Sequence, residues 1–80
     1  MKAKVHITLK NGVLDPQGAA IESALTHLGF DEVASARVGK YIELELKGCT
    51  PKEAEITVNE MCKRLLANTV VEKYQIELVE

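Results

Sequence analysis

An α+β fold, with helices packed on one face of an antiparallel sheet, is predicted for this chain of 80 residues. Three segments, residues 3–9, 34–46 and 70–79, alternate between apolar and polar residues as half-buried strands do. Two further segments carry apolar residues at helical spacing, and each opens with a proline directly after a capping residue. Strands and helices are therefore predicted to alternate along the chain. We expect residues 1–80 to form a single domain.

The first strand is followed by a marked helix start at Val13-Leu14-Asp15-Pro16-Gln17-Gly18. Asp15 is predicted to accept from free N–H groups of the first helical turn, and Pro16 has its φ already set for that turn. Gly29 supplies a left-handed stop. The apolar face of this helix comprises Ala20, Ile21, Ala24, Leu25 and Leu28. Capping leaves Gln17-Gly18 unexplained, because a glycine there costs about 1 kcal/mol against alanine unless something approaches its backbone closely.

The central segment keeps one alternating register from Ala34 to Leu46, across Gly39-Lys40. An unbroken strand of this length would exceed about 40 Å, whereas a compact chain of this size is roughly 30 Å across. The strand therefore either folds back at Val38-Gly39-Lys40 as a hairpin, or bends at Gly39 and adds its far half to the sheet of a second copy. Both alternatives give a β-α-β-β-α-β order and a ferredoxin-like sandwich of two layers.

The second helix is predicted to open at Thr50-Pro51-Lys52-Glu53, which has the pattern of a capping box. Its apolar stripe comprises Ala54, Val58, Met61, Cys62 and Leu65. Asn68 is its expected stop. The final strand, residues 70–79, then carries one apolar face, formed by Val70, Tyr74, Ile76 and Leu78.

Composition limits the kinds of protein that this chain can be. Ten basic and twelve acidic residues, spread along the chain, give a net charge of −2, so nucleic acid is not an expected partner. No apolar run approaches the ~20 residues of a membrane span and no signal-peptide core is present, so we expect a cytoplasmic protein. A chain this short has a small core, which makes oligomerisation the expected source of further burial.

The sequence offers no catalytic constellation. His6 and His27 have no carboxylate or cysteine partner close by, Cys62 belongs to an apolar stripe, and Cys49 has no histidine beside it. The two cysteines fit neither a disulfide framework nor a metal-ligand spacing. Arg37-Val38-Gly39-Lys40 places two cations around a glycine, where an anion or a partner's carboxylate could bind. We therefore expect no catalytic residue, no metal and no cofactor on this chain.

Taken together, three blocks of sequence resemble the PurS family, the small subunit of bacterial and archaeal phosphoribosylformylglycinamidine synthase. The blocks are Val13-Leu14-Asp15-Pro16-Gln17-Gly18 with Ala24-Leu25 and Leu28-Gly29-Phe30, then Arg37-Val38-Gly39-Lys40-Tyr41-Ile42-Glu43-Leu44, and finally Cys62-Lys63-Arg64-Leu65-Leu66-Ala67-Asn68-Thr69-Val70-Val71-Glu72. They lie in the right order in a chain of the right length. The resemblance covers nearly the whole sequence.

The resemblance implies a non-catalytic assembly subunit of a purine-biosynthesis ligase, one that uses formylglycinamide ribonucleotide, glutamine and ATP. ATP and Mg would bind the synthetase subunit, PurL, and the catalytic cysteine would belong to the glutaminase subunit, PurQ. The small subunit would join the two so that ammonia passes between them. It also implies self-association through shared sheets, as a dimer or a larger assembly.

Contact residues for partners or for a second copy are therefore predicted at the start of the first helix, at the bend of the central strand and at the end of the second helix. They are Asp15, Gln17, Gly18, Arg37, Gly39, Lys40, Asn68 and Thr69. Gly39 is expected to have a positive φ because the strand must bend there. One alternative is a ferredoxin-like regulatory module that binds a small molecule at a dimer interface, near a strand-helix turn such as Asn11-Gly12 to Gly18. Another is an acyl-phosphate hydrolase that uses Arg37 and Lys40.

Overall fold

Three strands and two helices make up the fold in a computed structural model that describes residues 1–80. In chain order they are β1 (Lys2–Leu9), α1 (Pro16–His27), β2 (Gly39–Glu45), α2 (Pro51–Met61), a π-helical turn (Cys62–Leu66) and β3 (Glu72–Val79). The strands form one antiparallel sheet in the order β2-β1-β3. The predicted α+β class is confirmed. None of the helices is both long and apolar enough to cross a membrane.

The core lies between α2 and one face of the sheet. In β1, Ala3, Val5 and Ile7 are almost completely buried, and they point to the same face because alternate residues of a strand do so. Val58 and Cys62 cover them from the helical side. The strands, α2 and the π-helical turn together are called the body below.

The start of α2 has the predicted capping box. The Thr50 hydroxyl accepts from the Glu53 N–H at 3.2 Å, and the Glu53 carboxylate accepts from the Thr50 N–H at 3.2 Å. These bonds satisfy two N–H groups that the helix itself leaves free. They also hold the pKa of Glu53 below its usual value, chiefly through the Thr50 side chain.

The end of α2 differs from the prediction. From Cys62 the backbone forms a π-helical turn, in which the Ala67 N–H donates to the Cys62 carbonyl, five residues back, at 2.9 Å. The wider turn carries Leu65 outward to 83% exposure and brings Ala67 into the core, so the assignment of Leu65 to the buried stripe was wrong. The helical stretch also ends at Leu66, before Asn68. Likewise, Val70 lies in the turn before β3 and is exposed rather than on the buried strand face.

A separate part of the chain, residues 16–38, extends away from the body and is called the arm below. It consists of α1 and a C-terminal stretch whose last residues, 33–38, belong to no helix or strand. Only Gly18 of α1 is buried, and Leu28 is 73% exposed, so within one copy α1 does not pack on the sheet as predicted. The chain measures 50 × 26 × 14 Å with a radius of gyration of 16.0 Å, against about 12 Å for a compact chain.

The predicted central strand is therefore divided. Its second half is β2, which pairs with β1 from Lys2 opposite Glu45 to Thr8 opposite Gly39. Its first half continues past the end of β1 and pairs with no strand of this chain. The hairpin alternative is not adopted, so the outer edge of β2 stays open.

Candidate functional site

Asp15 is the centre of the site, at the junction of β1 and α1. As predicted, it caps α1: one carboxylate oxygen accepts from the Gly18 N–H at 2.9 Å. The other accepts from the Val38 N–H at 3.0 Å, which is a bond from the distant end of the arm. The Asp15 side chain is only 7% exposed. The Val38 N–H, the Gly18 N–H and, more weakly, Arg37 hold the pKa of this carboxyl below its usual value.

Arg37 binds the same junction from the other side. Its guanidinium donates to the backbone carbonyls of Leu9, Lys10 and Val13 at 3.2, 3.2 and 3.4 Å. Its Nε lies 3.9 Å from the Asp15 carboxylate. The five donors of a guanidinium are fixed in a plane, so one side chain can hold several carbonyls of a turn at once. Arg37 thereby ties the extended end of the arm to the loop that follows β1.

The close approach that would justify a glycine at position 18 is made by the backbone of Ala36, which the sequence did not identify. A Cβ built on it would lie 2.3 Å from the carbonyl oxygen of Ala36, which is much closer than such atoms approach. The first turn of α1 and the backbone of Ala36 are therefore in direct contact. Asp15, Gly18, Ala36, Arg37 and Val38 together are called the clasp below.

Gly39 follows the clasp and begins β2. The expectation of a positive φ there was wrong, since only Gly12, Gly29 and Gly48 have one. Position 39 needs a glycine for another reason: the backbones of β1 and β2 approach closely there. A Cβ on Gly39 would lie 2.5 Å from the Ile7 carbonyl oxygen of the neighbouring strand. The left-handed stop at Gly29 is confirmed, with φ +97°.

A second polar cluster lies at the end of the π-helical turn. Lys40 Nζ donates to the Leu66 carbonyl at 3.3 Å and lies 3.6 Å from a Glu72 carboxylate oxygen. The other Glu72 oxygen accepts from the Asn68 N–H at 2.7 Å, and the Asn68 side chain accepts from the Val70 N–H. A cation beside the last carbonyls of a helix is favourable. This cluster thus fixes the loop between the turn and β3.

The two clusters meet in a cleft of about 300 Å³. Its polar lining includes Asp15, Gln17, Lys40 and Glu72. Asp15, Lys40 and Glu72 bind groups of this chain, whereas Gln17 is exposed. Thr69 lies outside the cleft, in the exposed turn before β3.

The sequence missed Glu72 and the Val38 N–H as members of these clusters. Glu72 is the first residue of β3, and nothing near it in the sequence indicated its pairing with Lys40. The Val38 N–H is a backbone group, and its bond to Asp15 joins residues 23 apart in the sequence. No group of three or more His, Cys, Asp or Glu side chains is placed to hold a metal ion.

The outer face of the sheet carries polar side chains. The Tyr41 hydroxyl donates to Glu43 at 2.6 Å, and the His6 ring lies 4.9 Å from the Tyr41 ring. Lys2 Nζ lies 3.6 Å from Glu43 and 4.0 Å from Glu45. The hydrogen bond to Glu43 raises the pKa of Tyr41 to about 12. This is the mixed, solvated face that the alternating pattern of β1 and β2 indicates.

Comparison with known proteins gives a full-length match. A family model described as "PurS: Phosphoribosylformylglycinamidine (FGAM) synthase" matches residues 2–80. The phosphoribosylformylglycinamidine synthase subunit PurS of Bacillus subtilis is 46% identical over 79 residues, which are 99% of this chain and 93% of that protein.

Solved structures agree with this match. Methanocaldococcus jannaschii PurS, one of the subunits of formylglycinamide ribonucleotide amidotransferase in the purine biosynthetic pathway, is 42% identical with a TM-score of 0.87, covering 99% of this chain and 98% of that one. A chain of PurLQS from Thermotoga maritima is 32% identical with a TM-score of 0.89, covering 98% of this chain and 95% of that one.

Proposed function

The chain belongs to the PurS family, and we propose that it is the non-catalytic assembly subunit of phosphoribosylformylglycinamidine synthase in de novo purine biosynthesis. The observation that carries this function is the match over residues 2–80. It is joined by the close likeness to a chain solved within PurLQS. Its relatives have a ferredoxin-like fold, and the three strands and two helices of this chain agree with that fold.

The synthetase subunit, PurL, and the glutaminase subunit, PurQ, are the partners of this chain. In the proposed division of labour, ATP and Mg bind the synthetase and the catalytic cysteine belongs to the glutaminase. This chain holds the two so that ammonia released from glutamine reaches the synthetase. In this proposal the protein works in the cytoplasm, and it needs no cofactor of its own.

Self-association is the second part of the proposal. A compact monomer of 8.8 kDa exposes about 4,800 Å², whereas this chain exposes 5879 Å². The difference, about 1,100 Å², exceeds the ~800 Å² that each partner of a standard interface buries. The arm contributes to this exposed surface, because Ile21 of α1 and Leu28, the residue that follows α1, have no sheet beneath them.

The second copy is the occupant that fits these surfaces. Residues 33–38 continue the alternation of β2, and they extend beyond their own sheet. The outer edge of β2 lacks a strand. If the stretch from one copy pairs with β2 of the other, both sets of free backbone groups are satisfied and α1 covers the second copy's sheet. Asp15, Gln17, Gly18, Arg37, Gly39, Lys40, Asn68 and Thr69 remain the proposed contacts with a second copy or with the partner subunits.

The assembly function is tested by reconstitution. The complex is assembled from the synthetase and glutaminase with and without this chain, and product formation is measured with glutamine or with free ammonia as nitrogen donor. We expect omission to abolish most glutamine-dependent synthesis while ammonia-dependent synthesis persists. Equal glutamine-dependent rates with and without the chain would contradict the assembly role.

A further inference from the structure

The clasp fastens three consecutive residues to one place. The Ala36 carbonyl rests against Gly18, the Arg37 guanidinium binds three carbonyls of the β1–α1 junction, and the Val38 N–H donates to Asp15. All of these contacts lie beyond the last β1–β2 pair, Thr8 with Gly39. They determine the direction in which the chain runs before it enters β2.

We propose that the clasp is an orienting device, which holds residues 33–38 in line with β2 and so prevents them from folding back onto their own strand. This proposal rests on the self-association proposed above, since the residues held open are those offered to the second copy. It assigns Asp15, Gly18 and Arg37 a role within each chain, as positioning residues for the interface.

A hairpin and the clasp exclude each other by geometry. In a hairpin with its loop at residues 38–40, Arg37 would lie opposite Tyr41 and Ala36 opposite Ile42, along the outer edge of β2. Each of the three backbone-level contacts of the clasp would then be broken, because residues 36–38 would leave the β1–α1 junction. A three-residue hairpin loop also generally needs a residue with positive φ, and Gly39 does not have one.

Gly18 and Asp15 provide two independent ways to break the device. An alanine at position 18 would place its Cβ against the Ala36 carbonyl, at a distance of 2.3 Å. An asparagine at position 15 keeps one oxygen for the Gly18 N–H. Its amide nitrogen would then face the Val38 N–H, donor against donor. In that orientation, Asp15→Asn preserves the helix cap while it breaks the bond to the arm.

The direction of the arm is measured with two spin labels, attached to cysteines introduced by Ser35→Cys and Glu45→Cys in a Cys49→Ser background. Native Cys62 is fully buried, so it stays unlabelled. Labelled chains are diluted with excess unlabelled chains, so that only distances within one chain are recorded by electron–electron double resonance. An extended backbone separates residues 35 and 45 by about 30 Å, whereas a hairpin brings them within roughly 10 Å.

We expect a distance near the longer value for the wild-type arm, and a shift to short or widely spread distances for Asp15→Asn, Gly18→Ala and Arg37→Ala. Matched controls separate the device from general weakening. Thr50→Ala removes the cap of α2, Gly29→Ala changes a glycine with no atom near its missing Cβ, and Arg64→Ala removes an exposed arginine. These three controls should retain the wild-type distance.

Wild-type distances in all three clasp variants would overturn the proposal, as would a short distance in the wild-type chain. Sedimentation of the same samples tests the self-association separately. A wild-type protein that sediments as single copies at every concentration would contradict the shared sheet, while the label distance would still decide whether the clasp directs the arm.

Discussion

The body and the arm of this protein are held by different forces. In the body, Val5 and Val58 meet in a core from which water is excluded. In the arm, one helix with an exposed apolar face is attached to the body through the carboxylate of Asp15 and the guanidinium of Arg37. Buried apolar area stabilises a fold in proportion to its extent, whereas an individual hydrogen bond contributes only about 1 kcal/mol net. The body therefore has a core of its own, whereas α1 leaves its apolar face exposed within one copy.

Core truncation is expected to separate the two regions most clearly. Ile7→Ala, in the body, should lower the free energy of unfolding by about 2–5 kcal/mol, because the side chain is 1% exposed and leaves a cavity. Leu28→Ala, in the arm, should change it by less than about 0.5 kcal/mol in dilute, unassociated protein. Urea unfolding at low concentration measures both. Equal losses would show that the arm has a core of its own.

At higher protein concentration the same pair becomes a test of association. If α1 of one copy covers the sheet of another, Leu28→Ala should then cost more than it does in dilute solution, while the cost of Ile7→Ala should change less. A cost for Leu28→Ala that does not vary with concentration would contradict the packing of α1 on a second copy.

The boundary between body and arm can be disturbed at Gly39. Gly39→Val places a branched side chain where the Ile7 carbonyl lies 2.5 Å from the Cβ position, and overpacking of this kind costs about 1–3 kcal/mol. Lys40→Ala removes a half-exposed ion pair with Glu72, which is worth about 0–1 kcal/mol. Sedimentation and urea unfolding should both show the larger change for Gly39→Val, and the reverse order would contradict the close approach as the reason for this glycine.

Local chemistry explains what the sequence could predict. Asp15 and Thr50 were found as caps because a cap and its helix are neighbours in the chain. The strands followed from alternation, and the family from whole blocks of sequence. The contacts of Arg37 were not predictable in this way, since its acceptor carbonyls at Leu9 and Lys10 belong to a strand end far back in the sequence.

Two errors had physical causes that periodicity does not contain. Leu65 was assigned to the buried stripe on the assumption of a uniform α-helix, but the backbone widens by one residue so that Ala67 can enter the core. A positive φ was predicted for Gly39 because a bend was expected there. The structure instead requires a glycine because the Ile7 carbonyl lies too close for a side chain. In both cases packing against another element decided the local conformation.

Acid should weaken the attachment of the arm, because the ionised carboxylate of Asp15 accepts the hydrogen bond from Val38. Its pKa is lower in the folded chain than in the unfolded chain, so the stabilisation is present above about pH 4 and is lost as the pH falls through the lowered folded pKa. At pH 7, the free energy of unfolding measured in urea should be lower for Asp15→Asn than for wild type. This difference should shrink below about pH 4. A difference that stays constant with pH would mean that the carboxylate charge is not involved. Glu43 and Glu53 are present in both proteins, so their own titrations cancel in this comparison.

The smallest expected effect is on the polar face of the body. In a Tyr74→Phe background, absorbance of the remaining tyrosine should report a pKa of about 12 for Tyr41. Adding Glu43→Gln removes the charged acceptor and should move this pKa toward the usual value of about 10. Because the folded pKa is raised, the stabilisation from this bond is present below about pH 10 and is lost as the pH rises through 12. An unchanged pKa in the Glu43→Gln protein would remove Glu43 as the cause.

The π-helical turn also bears on how the length of this chain can vary. A π turn is a helix with one residue more than a regular α-helix needs, and each residue of an α-helix turns its successors by about 100°. Deleting a residue within α2 would rotate Val58 or Cys62 out of the core, whereas deleting exposed Leu65 would restore regular winding. In the body, this turn is therefore where we expect natural or engineered variants to tolerate the loss of a residue.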